Sequence, residues 1–269
     1  MAIPTSITTR FAPSPTGYLH LGHVYAAKGA FGFAKACGGE CFLRIEDIDH
    51  TRCRPEFTGA IYESLSWLGF SWPEPVRVQS GHIPEYLSVI ESLAARGLVY
   101  RCFKTRKELP DGLYRGGALS ADEEQTRLAD NELFSWRLSI AKCQDYISET
   151  LIYEDTGVEP GVKTVNFDEL GDDILARKDI GTSYHVACCH DDALQNITHI
   201  VRGQDIAPLT PLHRLLQHLM NWPVPIYHHH SLLKNGAGEK LSKRKHDTSI
   251  QSLKEQGFTA AQVLDMAQP

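Results

Sequence analysis

The sequence predicts an α/β protein built on a parallel sheet and interrupted by an insertion. Two observations lead there. Apolar runs at residues 7–11 and 41–45 flank a helix-compatible run through Lys35, and strand, helix, strand is the opening of a parallel α/β unit. From Val99 to about Gly171 the chain turns polar and charge-rich, after which the apolar rhythm resumes. The length of 269 residues accommodates one large domain or two modest ones, and 42% hydrophobic with 22% charged residues is an ordinary composition for a soluble protein.

The elements follow in order. Residues 7–11 form the first strand, and a turn with Pro13, Pro15 and Gly17 leads to a helix opened by His20-Leu21-Gly22-His23. Residues 41–45 form the next strand and end in the carboxylate cluster Glu46, Asp47 and Asp49. Phe57, Ile61, Leu65 and Leu68 share a helical face over 55–68, with Pro55 where a missing N–H costs little and Gly69 as the stop. Ile83, Tyr86, Leu87, Ile90 and Leu93 do the same over 82–96, ending at Gly97. Inside the polar stretch only short strand-like pieces stand out, such as 134–140. Residues 173–177 and 183–189 read as a hairpin turning through Asp179, Ile180 and Gly181. A helix-like segment at 190–195, a strand at 198–202, a helix over 208–220, a strand over 225–232 and an amphipathic tail from Ser249 to Met266 complete the chain. The expected division is 1–100 and 172–235 for the two halves of the α/β domain, 101–171 for the insertion, and 236–269 for a glycine-containing loop with a helical tail.

Seven cysteines without a repeated spacing, and with no C-x-x-C pair, fit reduced thiols better than a disulfide framework. No apolar run approaches a membrane span, and the N-terminus lacks the basic start and apolar core of a secretory signal. A cytoplasmic protein without a membrane partner is expected. The net charge of −6 argues against indiscriminate nucleic-acid binding, while basic residues gathered on one face could still grip a phosphate backbone.

Two stretches carry chemistry. Arg10 to His23, RFAPSPTGYLHLGH, is a strand, a phosphate-sized turn and a helix start. Helix N-termini offer unpaired N–H groups to phosphate, and Gly22 leaves room for a base or sugar against backbone. Lys240-Leu241-Ser242-Lys243-Arg244 follows Gly236 and Gly238, and Lys243 supplies a point charge for a triphosphate. Either stretch alone is an ordinary turn or a solvated charge run; their pairing at opposite ends of an α/β chain is specific.

With these residues in hand, the chain resembles class I aminoacyl-tRNA synthetases: FAPSPTGYLHLGH is similar to their first signature and KLSKR to their second. RIEDID and ITHIVRGQD narrow the resemblance to the glutamyl and glutaminyl branch, and within it to the short paralogues that glutamylate queuosine in tRNA(Asp). The resemblance implies a Rossmann-type parallel-sheet catalytic domain, an inserted smaller α+β subdomain resembling those that meet the tRNA acceptor, and no anticodon-binding domain, since only 25 residues follow Arg244. It implies a ligase that uses ATP with Mg²⁺ to form glutamyl adenylate and passes glutamate to queuosine at the wobble position, with the anticodon loop of tRNA(Asp) as partner and a monomeric enzyme. Glutamate would be held by Arg10, Ala12, Ser14, Glu46, Tyr184 and Arg202, the arginines facing its side-chain carboxylate and Glu46 its ammonium. ATP would be held by His20, Gly22, His23, Lys240, Ser242 and Lys243, with His20, His23 and Lys243 catalytic. Activation needs no general base, because the attacking carboxylate is already ionised. Asp47 and Asp49 are possible contacts to the acceptor diol, Asp49 leaning to a structural part.

Zinc is not expected. Relatives build a site in the insertion from a C-x-C pair, a tyrosine and a further cysteine, whereas here Cys102-Phe103-Lys104 keeps one thiol, and one soft ligand cannot make a tetrahedral site. His228, His229 and His230 alternate across a strand, which is poor chelation geometry. Other readings are a truncated glutamyl-tRNA synthetase charging the tRNA 3′ end, a non-catalytic tRNA-binding paralogue, and a small-molecule nucleotidyltransferase, which would lack the set Arg10, Glu46 and Arg202.

Overall fold

A computed structural model describes residues 6–233 and 249–268. The first half runs β1 (Thr8–Phe11), α1 (Leu21–Ala36), β2 (Glu40–Ile45), α2 (Pro55–Trp67) and β3 (Arg77–Val78). The three strands form a parallel sheet in the order β1-β2-β3, with Thr9 opposite Cys41 and Arg44 opposite Arg77. The face of α1 turned inward is Val24, Ala27, Ala30 and Ala34, all buried. These small side chains let the helix approach the sheet closely enough for Thr9 Oγ1 to donate to the Ala30 carbonyl at 3.0 Å. Phe11, Leu43 and Ile45 of the strands pack with Ile61 and Leu65 of α2 in the same core.

The chain continues with α3 (Ile83–Ala95), β4 (Val99–Cys102), α4 (Ala121–Ala129), β5 (Ser135–Leu138), α5 (Ile140–Tyr146), β6 (Ile152–Asp155), β7 (Gly161–Thr164) and β8 (Ile174–Ala176). β4, β5 and β8 make an antiparallel sheet of their own. Buried Asp172 ties it together, accepting from the Tyr100 hydroxyl and from the backbone N–H groups of Gly116 and Ile140, each at 2.9 Å. Last come α6 (Tyr184–Leu194), β9 (His199–Gly203), α7 (Thr210–Leu219), β10 (Ile226–His230), α8 (Ile250–Glu255) and α9 (Ala260–Met266). β9 and β10 are parallel, and β10 also pairs with β6 of the 152–164 hairpin, giving the order β7-β6-β10-β9. The two parallel halves meet where Thr198 N–H donates to the Thr8 carbonyl at 3.0 Å.

Several elements differ from the reading of the sequence. Residues 183–189 are not the second strand of a hairpin but the start of α6, which continues through the segment read as helix-like at 190–195. The cause is tertiary: Val186, Ala187, Cys188, Cys189, Asp191 and Asp192 are all buried, so the run carries no polar face to mark a helical period. Residues 134–140 divide into β5 and the first turn of α5, capped by Ser139, whose side chain accepts from Lys142 N–H. The amphipathic tail is two short helices separated at Gly257, which has φ +88°. The 152–164 hairpin extends the sheet of the second half.

Gly39 sits where the chain enters β2, and a Cβ there would overlap the Ile7 carbonyl oxygen, which accepts from Glu40 N–H at 3.0 Å. Gly39→Ala therefore forces β1 and β2 apart at their first ladder bond. We expect a loss of about 1–3 kcal/mol in urea unfolding, with an unchanged slope.

Candidate active site

The parallel strands direct their carboxyl ends to one side, where open α/β sheets bind ligands. β1 carries Arg10 and leads into the loop with Ala12 and Ser14, β2 ends before Glu46, β9 carries Arg202, and α6 begins with Tyr184 and His185. Among them lies a cavity of about 840 Å³. Ser14, Glu46, Tyr184 and His185 line one part of it, and Lys104, Arg106, Arg137 and Lys178 line the part facing the β4-β5-β8 sheet. Ala12 is half-buried beside them.

Arg10 and Arg202 are buried behind this wall, each 5% exposed. Arg10 Nε donates to Asp192 Oδ1 at 2.9 Å, and Arg44 Nη1 reaches the same oxygen at 2.8 Å. Arg44 Nη2 in turn donates to Glu46 Oε1 at 3.1 Å. Burial would raise the Asp192 carboxyl, but the two guanidinium groups outweigh it and hold its pKa below the usual range. For Glu46 burial wins over Arg44 and Arg10, and its pKa is raised. An arriving ammonium would favour the ionised form. Burial raises the Tyr184 hydroxyl, so it stays a neutral donor. The neighbouring Asp191 accepts from Arg77 Nε at 2.6 Å, Gln79 Nε2 at 3.0 Å and the Tyr86 hydroxyl at 2.9 Å, which fixes α6 against β3 and α3.

At the start of α1, His20 Nδ1 accepts from Gly22 N–H and His23 Nδ1 accepts from His20 N–H, both at 3.1 Å. A neutral imidazole that accepts at Nδ1 carries its proton on Nε2. The helix cap thus makes both histidines Nε2 donors, the state that suits a phosphate oxygen. The rings lie 3.8 Å apart. They form a pair separate from the 840 Å³ cavity, whose near edge on this side is Ser14 and Thr16. Lys240, Ser242 and Lys243 lie outside the described residues. The chain re-enters the described part at Ser249, which bridges His20, while Ile250 N–H donates to the Leu19 carbonyl at 2.8 Å.

Asp49 is engaged by its surroundings. It accepts from Thr51, Arg52 and Arg177, led by the Thr51 hydroxyl, which lowers its carboxyl to about 2. Asp47 accepts from Ser80 N–H and hydroxyl. In the insertion Cys102 is buried, and Lys104 Nζ lies 5.4 Å from the centre of the Tyr114 ring. Among the described residues one other group of soft donors stands together: Cys188, Cys189 and His213, their ligand atoms within 4.8 Å of one another. It fits a cation poorly. Arg202 Nη1 faces His213 Nδ1 at 3.3 Å, and a guanidinium only donates, so the His213 proton belongs on Nε2, the atom a metal would need.

Sequence reading missed Arg44, Asp155, Asp191, Asp192 and His213, and weighed His229 only as one of three consecutive histidines with poor chelation geometry. Two had a visible signal: an arginine inside an otherwise apolar strand, and a paired aspartate in the middle of a buried segment.

The fold and the site define a class: a Rossmann-type α/β protein with a polar cleft over its strand ends, backed by buried arginines and carboxylates, beside a helix start that carries two histidines. Within that class the chain belongs to the family of tRNA synthetases class I (E and Q), catalytic domain, whose profile matches residues 6–267. It is 38% identical to the glutamyl-Q tRNA(Asp) synthetase of Rhodobacter capsulatus over 95% of this chain and 97% of that one. It is 35% identical to the glutamate–tRNA ligase of Coprothermobacter proteolyticus over 94% of this chain and 56% of the relative. The glutamate–tRNA synthetase structure from Elizabethkingia anophelis superposes with a TM-score of 0.78 at 30% identity, over 94% of this chain and 54% of that one. The chain therefore spans nearly the whole of the first relative and about half the length of the other two.

Asp192→Asn leaves Arg10 and Arg44 buried with half their counter-charge, so it should cost about 3–5 kcal/mol in chemical denaturation. Substitution by alanine at exposed Arg52 should cost under about 1 kcal/mol. A second expectation concerns pH. Burial, seconded by Arg202, lowers His185 to about 4, and burial lowers His213 as well. Below about 6.5 the unfolded chain takes up these protons and the folded chain does not, so the contribution of these two histidines to stability should be constant above pH 6.5 and fall as pH drops toward 4. His185→Asn should flatten that fall.

Proposed function

We propose that the protein activates L-glutamate with ATP and transfers the glutamyl group to queuosine at the wobble position of tRNA(Asp). The observation that carries glutamate is the buried set Arg10, Arg44, Asp192 and Glu46 behind a cavity lined by Ser14 and Tyr184. The Arg10 and Arg202 guanidinium groups and the Tyr184 hydroxyl face the side-chain carboxylate, and Glu46, with Ser14 and the Ala12 backbone, faces the ammonium. The α-carboxylate then points toward the start of α1, where His20, Gly22 and His23 receive the ATP phosphates. Lys240, Ser242 and Lys243 complete that phosphate site, with His20, His23 and Lys243 acting on the phosphate that changes hands. The α-carboxylate oxygen attacks the α-phosphorus, the bond to the bridging oxygen breaks, and pyrophosphate leaves. Mg²⁺ on the triphosphate supplies further positive charge. Because the nucleophile is already an anion, the residues contribute placement and charge and not proton removal.

The queuosine acceptor rests on the likeness to the Rhodobacter protein, which matches over nearly its full length. In this reading residues 1–100 and 172–235 are the halves of the catalytic domain, 101–171 an acceptor-like insertion whose 152–164 hairpin joins the sheet of the second half, and 236–269 the KLSKR loop and tail, and the enzyme is a cytoplasmic monomer. On the same reading the insertion works without zinc, since Cys102-Phe103-Lys104 keeps a single thiol. Among the described residues no helix is long and apolar enough to cross a membrane.

Labelled glutamate, ATP and queuosine-containing tRNA(Asp), followed by nuclease digestion, should place the label on the modified nucleoside. Label on the 3′-terminal adenosine would assign the chain to the 3′-charging reading. Glutamate-dependent pyrophosphate exchange should proceed without tRNA and fall at least a hundredfold in Lys243→Ala, the loss expected for one charge that stabilises the transferring phosphate. Exchange unaffected by that change would remove Lys243 from the phosphate site.

A further inference from the structure

Behind Tyr184 lies a chain of polar groups that runs from β6 to the cavity wall. Asp155 Oδ1 accepts from Gly157 N–H at 2.9 Å and His229 N–H at 3.3 Å, and its Oδ2 meets His229 Nδ1 at 2.5 Å. His229 Nε2 receives Arg202 Nε at 3.0 Å. Arg202 Nη2 donates to Thr210 Oγ1 at 2.8 Å, and Nη1 faces His213 Nδ1 at 3.3 Å. His213 Nε2 lies 3.1 Å from His185 Nδ1, and His185 lines the cavity beside Tyr184.

The guanidinium decides every proton in this chain, because it donates and never accepts. His229 must accept at Nε2, so its proton sits on Nδ1 and is given to Asp155. His213 must accept at Nδ1, so its proton sits on Nε2 and is given to His185 Nδ1. His185 then holds its own proton on Nε2. Burial, with Arg202 adding to it, keeps His213 and His185 neutral, so each ring has one proton to place. The charge of Arg202 is balanced by Asp155 through His229 and expressed at the other end as a directed donor.

We infer that His185 is a specificity-determining residue that presents an Nε2–H to the side chain of the bound amino acid, and that His213 is the positioning residue that passes this direction from Arg202. The inference rests on the reading that glutamate is bound here. Arg10 and Arg202 can only donate, and a His185 held in the same sense leaves no ring acceptor beside them. Two carboxylate oxygens are satisfied by such a wall. The terminal NH₂ of glutamine would meet donors with its own donors, a mismatch that costs more than a missing contact. His185 thus adds to the rejection of the isosteric amide.

The test has two arms. In imidazole ¹⁵N–¹H correlation spectra of the intact protein at pH 7, with signals assigned by single substitutions, His229 should be the Nδ1–H tautomer and His213 and His185 the Nε2–H tautomer. An Nδ1–H His185 or His213 overturns the inference whatever the activity. In glutamate-dependent pyrophosphate exchange, His185→Leu should raise KM for glutamate roughly tenfold to a hundredfold and lower the preference over glutamine by a similar factor, with kcat within about threefold. His213→Leu should do the same. His213→Gln should restore discrimination, since its carbonyl can accept from Arg202 while its amide donates to His185. An active wild type whose discrimination survives His185→Leu overturns this inference alone. A wild type that exchanges with other amino acids and not with glutamate removes the glutamate reading and this one with it.

Discussion

The Asp192 carboxylate, shared by Arg10 and Arg44, is the interaction on which the site depends. Each of these three groups is 6% exposed or less, and none could be buried alone without a cost of several kcal/mol. Together they join the first two strands to α6, and Arg44 passes the constraint on to Glu46. The cluster holds charges of both signs in place before any ligand arrives, as the proposed binding of a zwitterionic amino acid needs. Its worth lies in geometry more than in net stabilisation. The same charges placed on flexible side chains at the surface would have to be ordered at the moment of binding.

The same economy appears around Arg202. Its counter-ion is Asp155, on a hairpin that follows the β4-β5 part of the insertion, and His229 stands between them. β10 therefore serves the site through one inward-facing residue of its histidine run, while His228 and His230 are half-buried on the other face, His230 against Tyr25. At α1 the backbone performs the corresponding task, since the cap that starts the helix also fixes the protons of His20 and His23. The tautomer is set by fold-defining contacts in both places.

The parallel α/β core was legible in the sequence because its strands and helices carry clear periods and glycine or proline stops, as in 55–68 and 82–96. The candidate residues Arg10, Glu46, Arg202, His20 and His23 were singled out only through motifs, since no local pattern tells a buried arginine from an exposed one. α6 was misread because a helix buried on most of its circumference has no polar stripe, and its aspartates, normally a sign of exposure, are paired inside. Asp155 and His213 were invisible, and His229 stood out only as part of a histidine run, because their meaning is tertiary. Asp155 and His229 lie on strands that are neighbours only once β6 has joined β10.

On the proposed function, this buried cluster is a glutamate site. A crystal structure with a non-hydrolysable glutamyl adenylate analogue tests it most directly. The account predicts the side-chain carboxylate within hydrogen-bond distance of Arg10, Tyr184 and Arg202, the ammonium on Glu46, and the phosphate toward His20 and His23. An analogue bound with its glutamyl end away from Glu46, among Lys104, Arg106 and Lys178, would contradict it.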